Sequence, residues 1–440
     1  TFLDRWHQGV PAGEGEQGLD AAIDHHLLIN HVRRREDALR LQRKRNAETK
    51  RLLPFTDGLL ALDDASRRLE PVDARATAQT LSTLLAEVSA ARKRVADGRT
   101  ADASPDALKT TPVVAFHASK ALGRLRAVLK RWYTFRNGYE PAFGWWVRQP
   151  YEALDKALGD YATYLKSTVA GVTDAKTAPL IGDPIGREAL CRAIAREMLP
   201  YTPEELIAIA EQEFAWCEAE GRKAADELGK EGDWQAAVEH VKGLHKEPGG
   251  QDDLVAGQAR EAIQFLEERE LVTVPPLAAE TWRLKMISEQ GQKTLPFAVY
   301  NDQHMLVAYA TEGMPHDAKL QSMRGNNEHF TRIVTPHELI PGHHLQLFMA
   351  ARERAYRGLF RTPFFVEGWA LHWEMLLWDL GWHRGPEDRV GMLFWRMHRC
   401  ARIIVSLRFH LGQMSPQEMV AFLEERELVT VPPLAAETWR

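Results

Sequence analysis

Residues 337–344 read His337-Glu338-Leu339-Ile340-Pro341-Gly342-His343-His344, and 24 positions after His343 the chain reads Glu367-Gly368-Trp369-Ala370-Leu371. Imidazole nitrogen and carboxylate oxygen are the donors of a catalytic zinc site, which uses three protein ligands and one water. His337, His343 and Glu367 supply the three. Glu338 beside the first ligand is then free to take a proton from an activated water. A histidine–glutamate pair alone is more often surface charge; the downstream Glu-Gly-Trp-Ala segment is what turns the reading toward metal.

The spacing departs from His-Glu-x-x-His, where the ligands share a helix face at i and i+4. Here position i+4 is Pro341. On a regular helix i+6 points about 240° away, and i+7 lies about 10.5 Å along the axis. Proline removes a helical hydrogen bond and glycine tolerates unusual backbone, so Pro341-Gly342 is where a bulge is expected. A bulge that absorbs two residues makes His343 the second ligand. His344 needs three absorbed, and stays open as an alternative ligand or neighbour.

The interval to Glu367 accommodates a helix from His343 to about Arg357, a stop at Gly358 and a new start at Thr362-Pro363. On a helix beginning near Phe365, Glu367, Ala370, Leu371, Glu374 and Trp378 share one face. Glu374 is thereby a candidate acceptor for the outer N–H of a ligand imidazole.

These residues resemble a bacterial gluzincin-like zinc metallopeptidase family of the His-Glu-x-x-Pro-Gly-His-His type, long catalogued as a domain of unknown function. The motifs are His337 to Gln346 and Glu367 to Leu371, with Trp395, Ala401-Arg402, His410 and Ser415-Pro416-Gln417-Glu418 behind them. The family is distantly similar to the angiotensin-converting-enzyme and neurolysin group. That resemblance implies a mainly α, zincin-like fold with a deep cleft, Zn2+ as cofactor and peptide as substrate. It also implies an edge strand beside the metal, along which an extended substrate pairs. Phe297–Tyr300 and Met305–Tyr309 flank a turn at Asn301-Asp302-Gln303, so Leu306, Val307, Ala308 and Tyr309 are expected to line the cleft. Peptidases of this kind need a donor for the tetrahedral oxyanion. His410 and Arg402, with Ser406 between them on a helix from Met392 to Leu411, are the candidates. Export is common in such a family, which leans localisation toward the cell envelope.

The 440 residues carry 56 Lys and Arg against 61 Asp and Glu, so no basic excess points to nucleic acid. No apolar run reaches the roughly 20 residues of a membrane helix. Cys191, Cys217 and Cys400 are odd in number and form no disulfide framework; they read as small core residues. The chain opens on Thr1, so any signal peptide lies outside it.

Helix periodicity covers about 20–55, 75–97 and 106–134, with a linker at Gly98–Pro105. Gly138–Pro150 is aromatic, and Trp145-Trp146 is expected to pack between helices. Thr202-Pro203-Glu204-Glu205 and Ser415-Pro416-Gln417-Glu418 are capping boxes, and Lys246–Asp252 is a polar loop. Residues 265–283 recur without one change at 422–440. True repeats drift and recur many times, so 424–440, a copy of 267–283, reads as a recent duplication or an artefact. It stands where relatives continue with a helical, tyrosine-bearing region. One helical metallopeptidase domain over 1–423 is expected, with its zinc half at about 290–420. The function implied is peptide hydrolysis. The alternatives are a zinc-binding scaffold without turnover, or a zinc hydrolase of a non-peptide amide or ester.

Overall fold

The structure, a computed structural model, describes residues 16–100, 104–173, 179–292, 294–426 and 428. It is mainly α, with one small sheet. The described residues gather into two compact units by their contacts: those within 36–183, and those from 184 onward together with those up to 35. A chain this long commonly outgrows a single core. Most of residues 424–440 lies outside the described residues.

In the unit of residues 36–183, α1 (Glu16–Lys50, of which residues up to 35 belong to the other unit) is followed by α2 (Thr56–Arg67), α3 (Ala74–Asp97), α4 (Pro112–Arg136) and α5 (Pro141–Thr163), closed by a π turn at Tyr164–Val169. The starts follow from local chemistry. Asp73 accepts from the amides of Arg75 and Ala76 to open α3, and Thr111 caps α4 with Pro112 in its first turn. Leu81, Leu84 and Val88 of α3 share a core with Leu122 and Leu129 of α4 and Leu154 and Leu158 of α5. Trp145 and Trp146 do not pack between helices: they are 82% and 43% exposed. The positions of α5 that face the core are Phe143, Val147 and Leu154, which leaves both tryptophans off that stripe.

The other unit continues through α6 (Arg187–Arg196), α7 (Pro203–Glu227), α8 (Trp234–Lys242), α9 (Gln251–Glu268), α10 (Pro276–Thr281), β1 (Arg283–Met286), α11 (Glu289–Gln292), β2 (Ala298–Asn301), β3 (His304–Val307), α12 (His316–Gly325), α13 (Glu328–Glu338), α14 (His343–Arg352), a 3-10 turn (Ala355–Phe360), α15 (Pro363–Asp379), α16 (Pro386–His410) and α17 (Pro416–Glu424). Both capping boxes form, at Thr202–Glu205 and Ser415–Glu418. Cys217 and Cys400 are buried in the core where α7 meets α16; Cys191 is half-buried.

The sheet has the order β1-β3-β2, with β1 parallel and β2 antiparallel to β3. Asp302 and Gln303 both have positive φ and form the two-residue turn of the β2–β3 hairpin. This corrects the strand expectation. β3, which holds Leu306 and Val307, is the central strand with both backbone edges already paired, and it ends before Ala308 and Tyr309. The hairpin edge open to a further strand belongs to β2.

Helix α13 is fixed by a buried ionic network. The Arg332 guanidinium makes two 2.8 Å bonds to Glu261 of α9 and lies 3.0 Å from Asp388 of α16. It also stacks over Trp382 at 4.1 Å. Asp388 takes further bonds from His329 at 2.6 Å and from the Arg384 amide at 2.9 Å. Gly391 lets α16 come this close, since a Cβ there would stand 2.3 Å from the His329 carbonyl.

Candidate metal centre

The metal-type residues meet at the end of α13. The helix stops at Glu338 and α14 begins at His343, yet the hydrogen-bond ladder continues across the gap. The Gly342 amide donates to Pro336 O at 2.9 Å, and the Leu345 amide to Leu339 O at 3.2 Å. Both bonds run from i to i−6, so two residues are inserted relative to a regular i−4 ladder. Only glycine fits the crossing. A Cβ on residue 342 would lie 1.7 Å from the His337 carbonyl oxygen. Trp369 of α15 donates to Pro341 O at 2.8 Å, and Gln346 of α14 to Phe365 O at 3.1 Å, which lays α15 against the bulge.

This packing brings His337, His343 and Glu367 together, with one ligand atom of each within 4.8 Å of the other two. Nε2 of His337 and Nε2 of His343 are each 3.6 Å from Oε2 of Glu367. Tetrahedral zinc with bonds of about 2.1 Å separates its ligand atoms by about 3.4 Å. The donor set and its spacing therefore fit such an ion. The histidines are buried, whereas Glu367 is exposed, which leaves one side of the cluster open.

Nδ1 of His337 is 2.5 Å from Oε1 of Glu374, and Arg399 of α16 donates to the same oxygen at 2.6 Å. Glu374 is buried, and burial alone would raise its pKa; the charges of Arg399 and His337 reverse this and hold it below the usual carboxylate range. Burial opposes protonation of His337, but Glu374, with Glu367 and Glu338, outweighs it and pushes the pKa up to about 9. Glu374 thus fixes which His337 nitrogen faces the cluster. Nδ1 of His343 is buried and has no partner among the described residues.

His344 points elsewhere. Its Nε2 is 2.9 Å from Ala278 O and its Nδ1 3.1 Å from the Tyr300 hydroxyl. Glu338, next to the first ligand and nearly buried, accepts from the Tyr300 main-chain N–H through Oε2 at 2.8 Å. The edge strand β2 therefore touches the centre through Tyr300, a residue that sequence reading passed over. Arg399 was also passed over. It stands one turn before Arg402 on the same face, which is the signal that could have found it.

The remaining candidates are dispersed. Arg402 is exposed on α16, where its charge interacts with those of Arg399 and Glu367. His410 lies eight residues further along, about 12 Å by helical rise. Its Nδ1 accepts from the Ile185 amide at 3.4 Å. Of the cleft-lining candidates, Val307 and Ala308 are buried, while Leu306 and Tyr309 are half-buried.

The family model for bacterial proteins of unknown function, DUF885, matches residues 3–440. The chain belongs to this family. No curated protein matches it at a significant level. Among solved structures it is similar to one from Shewanella oneidensis named "putative lipoprotein of unknown function", with 17% identity and a TM-score of 0.63. That match covers 96% of this chain and 80% of the other. A second, from Colwellia psychrerythraea and also named "putative lipoprotein", has 15% identity, a TM-score of 0.49, and coverage of 83% and 64%. The first likeness places this DUF885 chain in the same overall fold.

Proposed function

We propose that this DUF885 protein is a zinc-dependent peptidase. The observation that carries the reading is the convergence of two imidazole Nε2 atoms, each 3.6 Å from one carboxylate oxygen of Glu367, with a further carboxylate, Glu338, adjacent. His337, His343 and Glu367 would hold the ion. When bound, zinc supplies Lewis-acid polarisation of a carbonyl and acidifies water. Glu338 is the proton acceptor for the attacking water and returns the proton to the leaving amine. Tyr300 N–H keeps one oxygen of Glu338 oriented and leaves the other for the proton. Glu374 and Arg399 hold the His337 ring in one orientation. Arg402, whose charge interacts with that of Glu367, is the preferred candidate oxyanion donor.

A glutamate as third ligand supports a gluzincin-type assignment. Because β3 is paired on both sides, an extended peptide would lie along β2, whose outward Tyr300 N–H is already bonded to Glu338. Among the described residues no helix is long and apolar enough to cross a membrane. The name of the Shewanella oneidensis neighbour supports a place in the cell envelope.

The test is metal content together with cleavage of a mixed peptide library, with and without chelator. One zinc per chain and chelator-sensitive cleavage are expected. No zinc would sink the metal centre, and stoichiometric zinc without cleavage would sink the peptidase reading.

A further inference from the structure

The unit of residues 36–183 carries its exposed apolar side chains unevenly. Of the seven large ones on its described surface, five are Leu69, Phe135, Tyr139, Trp145 and Trp146. All five belong to the α2–α3 and α4–α5 connections or the turns beside them. Contacts gather these segments at one end of the helices. Arg136, in the last turn of α4, donates to Glu70 O at 3.2 Å and to Glu140 at 3.1 Å. The Arg75 guanidinium lies over the Trp146 ring, 5.4 Å from its centroid. Tyr139, Trp145 and Leu69 are 83%, 82% and 77% exposed, so they project rather than fold back.

We infer that this aromatic tip docks on the surface of an anionic lipid bilayer. Tryptophan and tyrosine combine a large apolar ring with a polar handle, which suits the headgroup boundary. The tip is made of helix ends and turns, so its side chains can enter the boundary region without a spanning segment. Charge agrees. Residues 67–75 and 133–148 hold five arginines, Arg67, Arg68, Arg75, Arg136 and Arg148, against three acidic residues, while in the whole chain acidic residues outnumber basic ones. Arg67, Arg68 and Arg136 pair with Asp63, Glu70 and Glu140, and with Asp63 counted the tip still carries five arginines against four carboxylates, a positive balance suited to anionic headgroups.

The experiment is co-sedimentation of the full chain with phosphatidylglycerol-containing vesicles, beside the triple variant Phe135→Ser, Tyr139→Ser, Trp145→Ser. All three side chains are exposed, so the variant keeps the helical circular dichroism of the parent. The parent is expected to pellet with the vesicles, and the variant to lose binding by roughly tenfold or more. A parent that stays in the supernatant, or a variant that binds equally, overturns the inference. So does a change of oligomeric state in the variant by light scattering, which would assign the tip to a second copy of the chain. None of these readouts depends on the metal centre.

Discussion

The main-chain N–H of Tyr300 and the side-chain Oε2 of Glu338 are joined by a 2.8 Å hydrogen bond that ties the edge strand to the carboxylate beside the first metal-type histidine. One bond therefore sets two things: where Glu338 points, and how far β2 stands from the centre. A buried amide left without this partner costs about 1–3 kcal/mol. Glutamine at 338 keeps an acceptor oxygen for Tyr300 but cannot take up a proton. Glu338→Gln is expected to keep stability and metal content and to lose about 10²–10⁴-fold in peptide turnover. Turnover at the parental rate would remove Glu338 from the chemistry.

The two adjacent histidines are expected to behave oppositely. His343→Ala removes one of three donors, and metal stoichiometry should fall toward zero. His344→Asn keeps polar atoms toward Ala278 O and the Tyr300 hydroxyl, so metal should be retained with a modest loss of stability. Inductively coupled plasma analysis of both variants decides between the two ligands.

Gly342 is the position where a single methyl group should undo the bulge. Its Cβ would fall inside the van der Waals shell of His337 O and, at 2.5 Å, of Pro336 O. Gly342→Ala is expected to destabilise by about 3–5 kcal/mol, in the range of strained or overpacked sites. Zinc binding should be lost even where the chain stays folded. Chemical denaturation and zinc titration read the two effects separately.

Glu374 and Arg399 would act on a metal at the proposed centre through His337, which Glu374 contacts directly. Replacing such outer partners typically costs 10–100-fold in metal affinity. Glu374→Gln is expected to weaken zinc by that factor. Arg399→Met should do so less, because Glu374 keeps its bond to His337. Competition with a chromophoric chelator measures both; equal, unchanged affinities would assign the pair to structure alone.

Asp388 links stability to pH. Burial alone would raise its pKa, but hydrogen bonds from His329 and Arg384 and the Arg332 charge hold it well below the usual carboxylate range. A carboxyl depressed in the folded state contributes stability above its unfolded pKa, about 3.9, and loses it as pH falls through the folded value. The stability gap between the parent and Asp388→Asn should be constant from pH 5 to 7 and shrink on acidification below about pH 4. Urea denaturation at several pH values checks the slope; a gap that grows on acidification would contradict it.

Local rules were legible wherever the chain's neighbours in sequence are its neighbours in space. Capping boxes and the two-residue insertion at Pro341-Gly342 need no distant partner. The copied segment makes the point directly: Leu428 N–H bonds Leu423 O as Leu271 N–H bonds Leu266 O, so identical residues end two different helices in the same way. The face shared by Glu367 and Glu374 also followed from helical period alone.

What periodicity could not carry was partner choice. Sequence placed His343 and His344 side by side as candidate ligands. Only the approach of Ala278 and Tyr300, residues 66 and 44 positions away, turns His344 aside and leaves His343 to face Glu367. The same holds for β3, an edge strand by the family resemblance, which becomes the central strand once β1 pairs with it. Trp145 and Trp146 read as core by residue type, yet the α5 stripe that meets α3 and α4 runs through Phe143, Val147 and Leu154 instead. The sequence by itself determined the helical class, the capping boxes and the set of metal-type donors, because periodicity, capping and residue type are local. It did not set every helix end: the helix expected to run to about Arg357 and stop at Gly358 ends at Arg352, with Gly358 inside a 3-10 turn. Tertiary structure decided which donors converge, because imidazole orientation is set by hydrogen bonds from elements far away in the chain.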